Sequence, residues 1–327
     1  MRKLKVIGFV LLIFSAIVIS FAVVQKNKKV VSKPIFTIRE SSFSELDSLQ
    51  ILINEYSNIT KLMDSNIKTE GDEKLNNENA LKSILAKLKI YTERIAGSKA
   101  VTFNGVKYHL FVTNMDSDQI RLHLLRPKYK SSLGDVKGYL EAQKLTPLMI
   151  TNAGMFTTTF EPEGLYLEEN PLKKYNLDIG DQKSSLNFYL QPNGVFYIDT
   201  KNNAHIDTTK EFARLQKLKK TKVKLATQSG PMLVINGRIH PAFVKGSTNY
   251  KIRSGVGIIN SKKVVFACTL DGSNFYDFGI FMRDVFNCKN ALFLDGAISK
   301  MYLHDIYPEE TGGQFGPVIS VSRKARK

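Results

Sequence analysis

Five short segments of this chain each set one polar side chain beside glycine at the edge of an apolar run. They are Asn152-Ala153-Gly154, Ser229-Gly230-Pro231, Arg253-x-Gly255, Asp271-Gly272 and Asp295-Gly296. Carboxylates and a guanidinium in such turns are the groups that acid–base chemistry and anion recognition use. The sharpest case is the last, where Ala291-Leu292-Phe293-Leu294 runs straight into Asp295-Gly296 and a small polar turn ending at Ser299. A short buried strand of this kind delivers its acid to the carboxyl end of the strand, where ligands tend to sit in α/β sheets. Asp295 alone could equally cap its own turn. Five such segments in order, each at a strand end, point instead to turns converging on one end of a sheet.

The elements that would position these groups follow from hydrophobic periodicity. Between Asp277 and Asn287, Phe278, Phe281, Met282 and Val285 recur at helical spacing, so a helix feeds the strand that ends at Asp295. Leu133 to Lys144 reads as a helix, and Leu148 to Ile150 as a buried strand running into Asn152. Val106 to Thr113 and Gln119 to Leu125 alternate as half-exposed strands do. Arg253 to Ile259 and Lys263 to Leu270 pair as a hairpin through Asn260-Ser261. Asn187 to Leu190 and Gln191 to Tyr197 read as a second hairpin, turned by Pro192-Asn193-Gly194, and Asn236-Gly237 makes another tight turn. A basic helix from about Thr209 to Lys220 leads to the run Leu225 to Val234, which carries Ser229 and Gly230. Glu163 lies in a turn ahead of Leu165-Tyr166-Leu167. The expected class is α+β, a mixed, strand-rich sheet domain with flanking helices over residues 100–327.

Two further segments precede that domain. Residues 26–99 are expected to form a basic linker and a helical hairpin. Its helices run from Phe43 to about Met63 and from about Ala80 to Ile95, with a polar link between about Thr60 and Asn79. Val6 to Val24 carries no charge, and at helical rise these residues cover roughly 28 Å, enough for a hydrocarbon core of about 30 Å. Residues 1–25 are therefore expected to be a transmembrane anchor followed by Lys26, Lys28 and Lys29. The alternative is a signal segment cleaved near Ser20-Phe21-Ala22, giving a secreted protein. Either way the large domain is expected to be periplasmic or extracellular.

The formal net charge is +17. Residues 210–263 hold thirteen Lys or Arg against the single acid Glu211. No nucleic-acid motif with interleaved aromatics accompanies this run, so phosphate-bearing glycan or anionic lipid suits it better than nucleic acid. Cys268 and Cys288 read as two buried thiols by default, with a disulfide open to an exported protein. No CxxC, HExxH or Cys/His cluster is present, so no metal ligands and no cofactor are predicted, and a divalent cation is left open. Of the five histidines, His240 beside Pro241 in the basic region is the strongest candidate.

In their order, Asn152–Phe156, Ser229–Gly237, Arg253–Gly257 and Leu294–Gly296 resemble the motifs of the phosphodiester glycosidase family. Asn187–Tyr189, Pro192–Phe196 and Cys288–Leu292 are similar to segments of its bacterial branch. The resemblance covers about residues 100–320. It departs at Ala153, which stands for a second glycine, and at Ala297-Ile298, which replace a small, Gly-rich continuation and are expected to narrow any site there.

This resemblance implies hydrolysis of a sugar-1-phosphodiester in a cell-envelope or extracellular glycan. The leaving phosphate monoester is already a stable anion, so the site must offset phosphate charge, stabilise an oxocarbenium-like centre and deliver water. Asp295 is the implied base or nucleophile and Asp271 the second carboxylate, with Glu163 in reserve. Arg253 would grip the phosphate through its planar fork, and the Ser229-Gly230 turn would add an anion nest. Asn152 would bind sugar hydroxyls or orient water, and Gly154, Gly296, Ser299 and His240 complete the substrate-binding set. The alternative on the same scaffold is a non-catalytic glycan-phosphate-binding or polysaccharide-assembly protein.

Overall fold

The computed structural model describes residues 45–65, 72–125, 130–168, 174–180 and 186–323. Three antiparallel sheets build the domain. The largest runs, in spatial order, through Gly97–Phe103, Val106–Val112, Lys263–Thr269, Ser254–Asn260, Ala291–Asp295, Met232–Ile235 and Arg238–Ile239. The second orders Met301–Leu303, Pro147–Asn152, Val318–Arg323 and Asp118–His123. The third orders Lys174–Tyr175, Tyr166–Leu167, Val223–Ser229, Gly194–Asp199 and Ala204–Thr208. The α+β, strand-rich architecture is the one expected.

The seven-stranded sheet is covered on both faces, which explains why its central strands are apolar without alternation. Val265, Ala267 and Phe293 face one core with Leu49, Ile53, Leu88, Phe278 and Phe281 from the helical side. Phe266, Val256, Leu292 and Leu294 face a second core, shared with Met149 and Ile319 of one neighbouring sheet and with Tyr166 and Phe196 of the other. Cys288 belongs to the first core and Cys268 to the second. Both thiols are free and buried, on opposite faces of the sheet.

The helices Glu45–Ser65 and Asp72–Arg94 pack on the first core. Tyr56 donates to Asp284, tying the first helix to the π turn Phe281–Val285 that follows the short helix Phe275–Ile280. The second helix starts earlier than the sequence suggested. Its first turns are polar but contain neither Pro nor Gly, so nothing in them ends a helix. Leu133–Ala142 opens with a capping box between Ser132 and Asp135 and covers the second sheet through Val136 and Leu140.

The expected hairpin over 187–197 does not form. Asn187–Tyr189 is a 3-10 turn, because both edges of the following strand are taken: Gly194 stands opposite Thr208 on one side and Ser229 on the other. No helix among the described residues is long and apolar enough to cross a membrane, and Val6–Val24 lies outside those residues.

Candidate active site

The converging turns are found where the sequence pattern places them. The Ser254–Asn260 strand begins at the sheet end where Lys263–Thr269 and Ala291–Asp295 finish, since both pair with it antiparallel. Ser254 stands opposite both Cys268 and Asp295. Asn152, the last residue of its strand, donates through Nδ2 to Ser254 Oγ at 2.8 Å. Ser229, the last residue of its strand, donates to the Leu294 carbonyl at 2.7 Å. Asn152, Ser229, Ser254 and Asp295 thus come from all three sheets to one end of the domain.

A β-bulge shapes the acid's position. Gly255 pairs with Phe293 and Ser254 with Asp295, leaving Leu294 as the extra residue. Bulges re-aim side chains next to functional sites. Residues directly opposite share a face of the sheet, so Asp295 takes the side of Ser254, and the Ser229 hydroxyl occupies the carbonyl of the bulged residue. Asp295 is half-buried, and its Oδ1 accepts from the Gly296 N–H at 2.7 Å. Burial pushes its carboxyl up to about 6, against the opposing pull of that N–H. A carboxyl poised there exchanges protons near neutral pH.

Arg253 lies on the other side. It is 1% exposed, with its guanidinium 3.7 Å from the centroid of Phe275 and 5.6 Å from that of Phe293. Nε donates to the Ser273 carbonyl at 2.7 Å and Nη2 to that of Asn249 at 3.0 Å. Burial lowers it to about 10, which leaves it cationic at neutral pH. The open fork expected of a phosphate ligand is therefore not on offer, because two of its three nitrogens already hold backbone carbonyls. His240 sits in the same aromatic stack: its ring lies on Phe243, which lies on Phe275. It is 1% exposed, its Nδ1 accepts from the Ala242 N–H, and its Nε2 has no hydrogen-bond partner among the described residues. This burial closes His240 to a ligand, contrary to the expectation.

Asp271 is exposed. Glu163 is not a solvated loop acid. It is half-buried and accepts from the Tyr189 hydroxyl at 3.1 Å, while Asp178 lies 3.5 Å from the same oxygen. Burial and the Glu163 bond push the Tyr189 phenol up to about 12. The loop is held by Gln228, whose Oε1 accepts from Leu165 N and Asp178 N and whose Nε2 donates to the Asp178 carbonyl. Gln228 precedes Ser229, so Glu163 is anchored beside the turn that supports Leu294 and Asp295.

The glycines are set by close approach. A Cβ on Gly154 would lie 2.1 Å from the Gln228 carbonyl oxygen, and one on Gly230 would lie 2.6 Å from Asn193 Cβ. The expected nest at Ser229-Gly230 is a packed turn whose hydroxyl proton is already committed to Leu294. Gly296 has open space, with Phe293 at 3.8 Å its nearest neighbour. Ala297 and Ile298 are exposed, so they border the site at its rim and do not fill it. Ser254, Gln228 and Tyr189 escaped sequence reading, because a serine, glutamine or tyrosine within an ordinary strand or turn carries no local mark of its partners.

The profile of the phosphodiester glycosidase family matches residues 146–323, more than half of the chain. The chain belongs to this family. The phosphodiester glycosidase domain so defined contains every turn assembled above. Over 178 residues it is 35% identical to the Escherichia coli K12 protein YigE, across 54% of this chain and 66% of YigE. The chain therefore matches just under two thirds of that relative's length. Among solved structures, the zebrafish N-acetylglucosamine-1-phosphodiester alpha-N-acetylglucosaminidase catalytic domain, auto-inhibited by its pro-peptide, is similar at 14% identity and TM-score 0.49. The match covers 69% of this chain and 82% of that one. A hypothetical protein from Synechocystis is similar at 11% identity and TM-score 0.43, over 71% and 64% of the two chains.

Proposed function

We propose that the protein hydrolyses the glycosyl bond of a sugar-1-phosphodiester, breaking C1–O and releasing the sugar and a phosphate monoester. The reading is carried by Asp295, a half-buried carboxyl raised to about 6 at the meeting point of three sheets inside a phosphodiester glycosidase domain. Asp295 acts either as the base that takes a proton from the water attacking C1, or as the nucleophile that bonds C1 before water hydrolyses the intermediate. A leaving phosphate needs little protonation, so catalysis rests on well-placed carboxylates and on polar groups around the sugar. Ser299 supplies such a group from the turn that leaves Asp295, and the fully buried Asn152 lies behind it.

Glu163 is assigned as the second carboxylate in preference to Asp271. Its carboxylate is held by Tyr189 and its loop by Gln228 through Leu165 N, whereas Asp271 faces solvent. Fixed groups stabilise a transition state without reorganising during reaction. Arg253 stiffens the 249 and 273 turns and lends its buried charge to the phosphate at longer range.

The protein is further proposed to be exported and tethered through residues 6–24, acting on phosphate-bearing glycan. Protease accessibility of the domain in intact cells tests this, and full protection would count against it. The activity itself is tested with methyl phosphodiesters of glucose and N-acetylglucosamine 1-phosphate in 18O-water. Glycosidic cleavage places the label in the sugar. Label in the phosphate would show P–O cleavage and overturn the reading.

A further inference from the structure

We propose that Ser254 is a positioning residue of this site. It polarises a relay, Asn152–Ser254–Ser299, so that Ser299 presents its hydroxyl proton to an oxygen of the bound diester. The proposal rests on the hydrolase reading above and adds to it a residue and a direction of hydrogen bonding.

The direction follows from which groups can only donate. The backbone N–H of Lys300 points at Asn152 Oδ1, at 3.4 Å. An N–H needs an acceptor, which sets the carboxamide with its oxygen toward Lys300 and its NH2 toward Ser254. Asn152 Nδ2 therefore donates to Ser254 Oγ at 2.8 Å. Ser254 is 0% exposed, and its hydroxyl has one other partner among the described residues, Ser299 Oγ at 2.9 Å. A buried hydroxyl that already accepts must still place its own proton, and only Ser299 can take it. Ser299 thus accepts, and its own proton has no partner among the described residues.

Ser299 is also held in place along its backbone, its N–H donating to the Gly296 carbonyl at 2.8 Å. At 4% exposure it is the least buried member of the relay, in the turn that leaves Asp295. Ser254, opposite Asp295 in the strand register, therefore links the acid's position to that of a hydroxyl donor. A fixed donor aimed at a reacting oxygen acts without reorganisation.

The experiment compares Ser254→Ala, Ser299→Ala and the double variant in turnover of the methyl phosphodiester of N-acetylglucosamine 1-phosphate. Each single variant is expected to lose about tenfold in kcat with KM little changed, the size of one lost hydrogen bond. The double variant is expected to lose no more than either single one, because the members act as a unit. Asn152→Asp reverses the relay: an ionised carboxylate only accepts, so Ser254 must donate to it and draw the Ser299 proton inward. That variant should show the same loss, with no further loss on adding Ser299→Ala. Losses that multiply overturn the relay.

A crystal structure of ligand-free Ser254→Ala supplies a readout that needs no turnover. The Asn152 carboxamide and the Ser299 hydroxyl are both expected to leave their present rotamers, and unchanged placement of both overturns the proposal. Wild-type protein that fails to cleave any diester would count against the hydrolase reading and leave this structural arm to decide the relay.

Discussion

The Arg253 guanidinium lies 3.7 Å from the Phe275 ring centroid and pairs with no carboxylate among the described residues. A buried cation without a counter-ion is costly unless its donors are met and its face is covered. Here two carbonyls and two phenyl rings do so. Arg253→Lys keeps the charge but loses the planar fork that reaches both Ser273 and Asn249. We expect it to lose about 2 kcal/mol of stability in urea denaturation, and Arg253→Ala about 3 kcal/mol. A change in Arg253→Lys of less than about 0.5 kcal/mol, the range of ordinary surface substitutions, would show that the buried fork is dispensable.

The Asp295 carboxyl gives a pH signature with a definite sign. A base or nucleophile must be ionised, so kcat/KM is expected to fall as pH drops through about 6. Stability runs the other way. The folded value lies above the usual carboxylate range near 3.9, so the neutral form is favoured on folding. Its stabilising effect is complete below about pH 4 and is lost as pH rises through about 6. Asp295→Asn cannot ionise, so at pH 8 it should be more stable than wild type by on the order of 2 kcal/mol, and near pH 4 by little. The same variant should lose activity by at least a hundredfold. Equal stability differences at both pH values would remove the case for a desolvated acid.

Much of this site was legible because its turns are local. Asp295, Asn152 and Ser229 each end an apolar run, and such runs give away strand ends without knowledge of the partners. Faces were not legible. One bulge residue, Leu294, moves Asp295 to the Ser254 side and away from Arg253, and no single-sequence pattern marks a bulge. His240 and Arg253 looked available because charge and polarity are visible in sequence, whereas Phe243 and Phe275 stacking over them is not. The helix Asp72–Arg94 outruns its apolar periodicity for a related reason. Polar residues in its first turns expose the helix and do not break it.

The choice of second carboxylate separates two readings cleanly. The Glu163 carboxylate is anchored by a phenol raised to about 12, in a loop that Gln228 clamps through Leu165 N and Asp178 N. Asp271 is exposed. Glu163→Gln is therefore expected to cut kcat by about a hundredfold, within the usual span for a lost acid–base group. Asp271→Asn should stay within about threefold. Steady-state kinetics on the two variants decides the matter, and the reverse order would return the role to Asp271.

The glycines beside the functional residues should divide by the space around them. A methyl on Gly154 meets the Gln228 carbonyl oxygen at 2.1 Å and Thr227 Oγ1 at 2.6 Å, atoms fixed in the Val223–Ser229 strand. Gly154 N also accepts no alternative placement readily, since it donates to Thr227 Oγ1 at 3.2 Å. Gly154→Ala must therefore push apart two sheets, and a loss of about 2–3 kcal/mol is expected, as for overpacked cores. Gly296 has nothing closer than Phe293 Cζ at 3.8 Å and does not lie at positive φ, so Gly296→Ala should change stability by less than about 0.5 kcal/mol. Its effect on turnover is the more informative number. If substrate approaches Asp295 over the backbone of Gly296, a methyl there raises KM while the urea midpoint stays put. An unchanged KM would place the sugar elsewhere along the Asp295 rim.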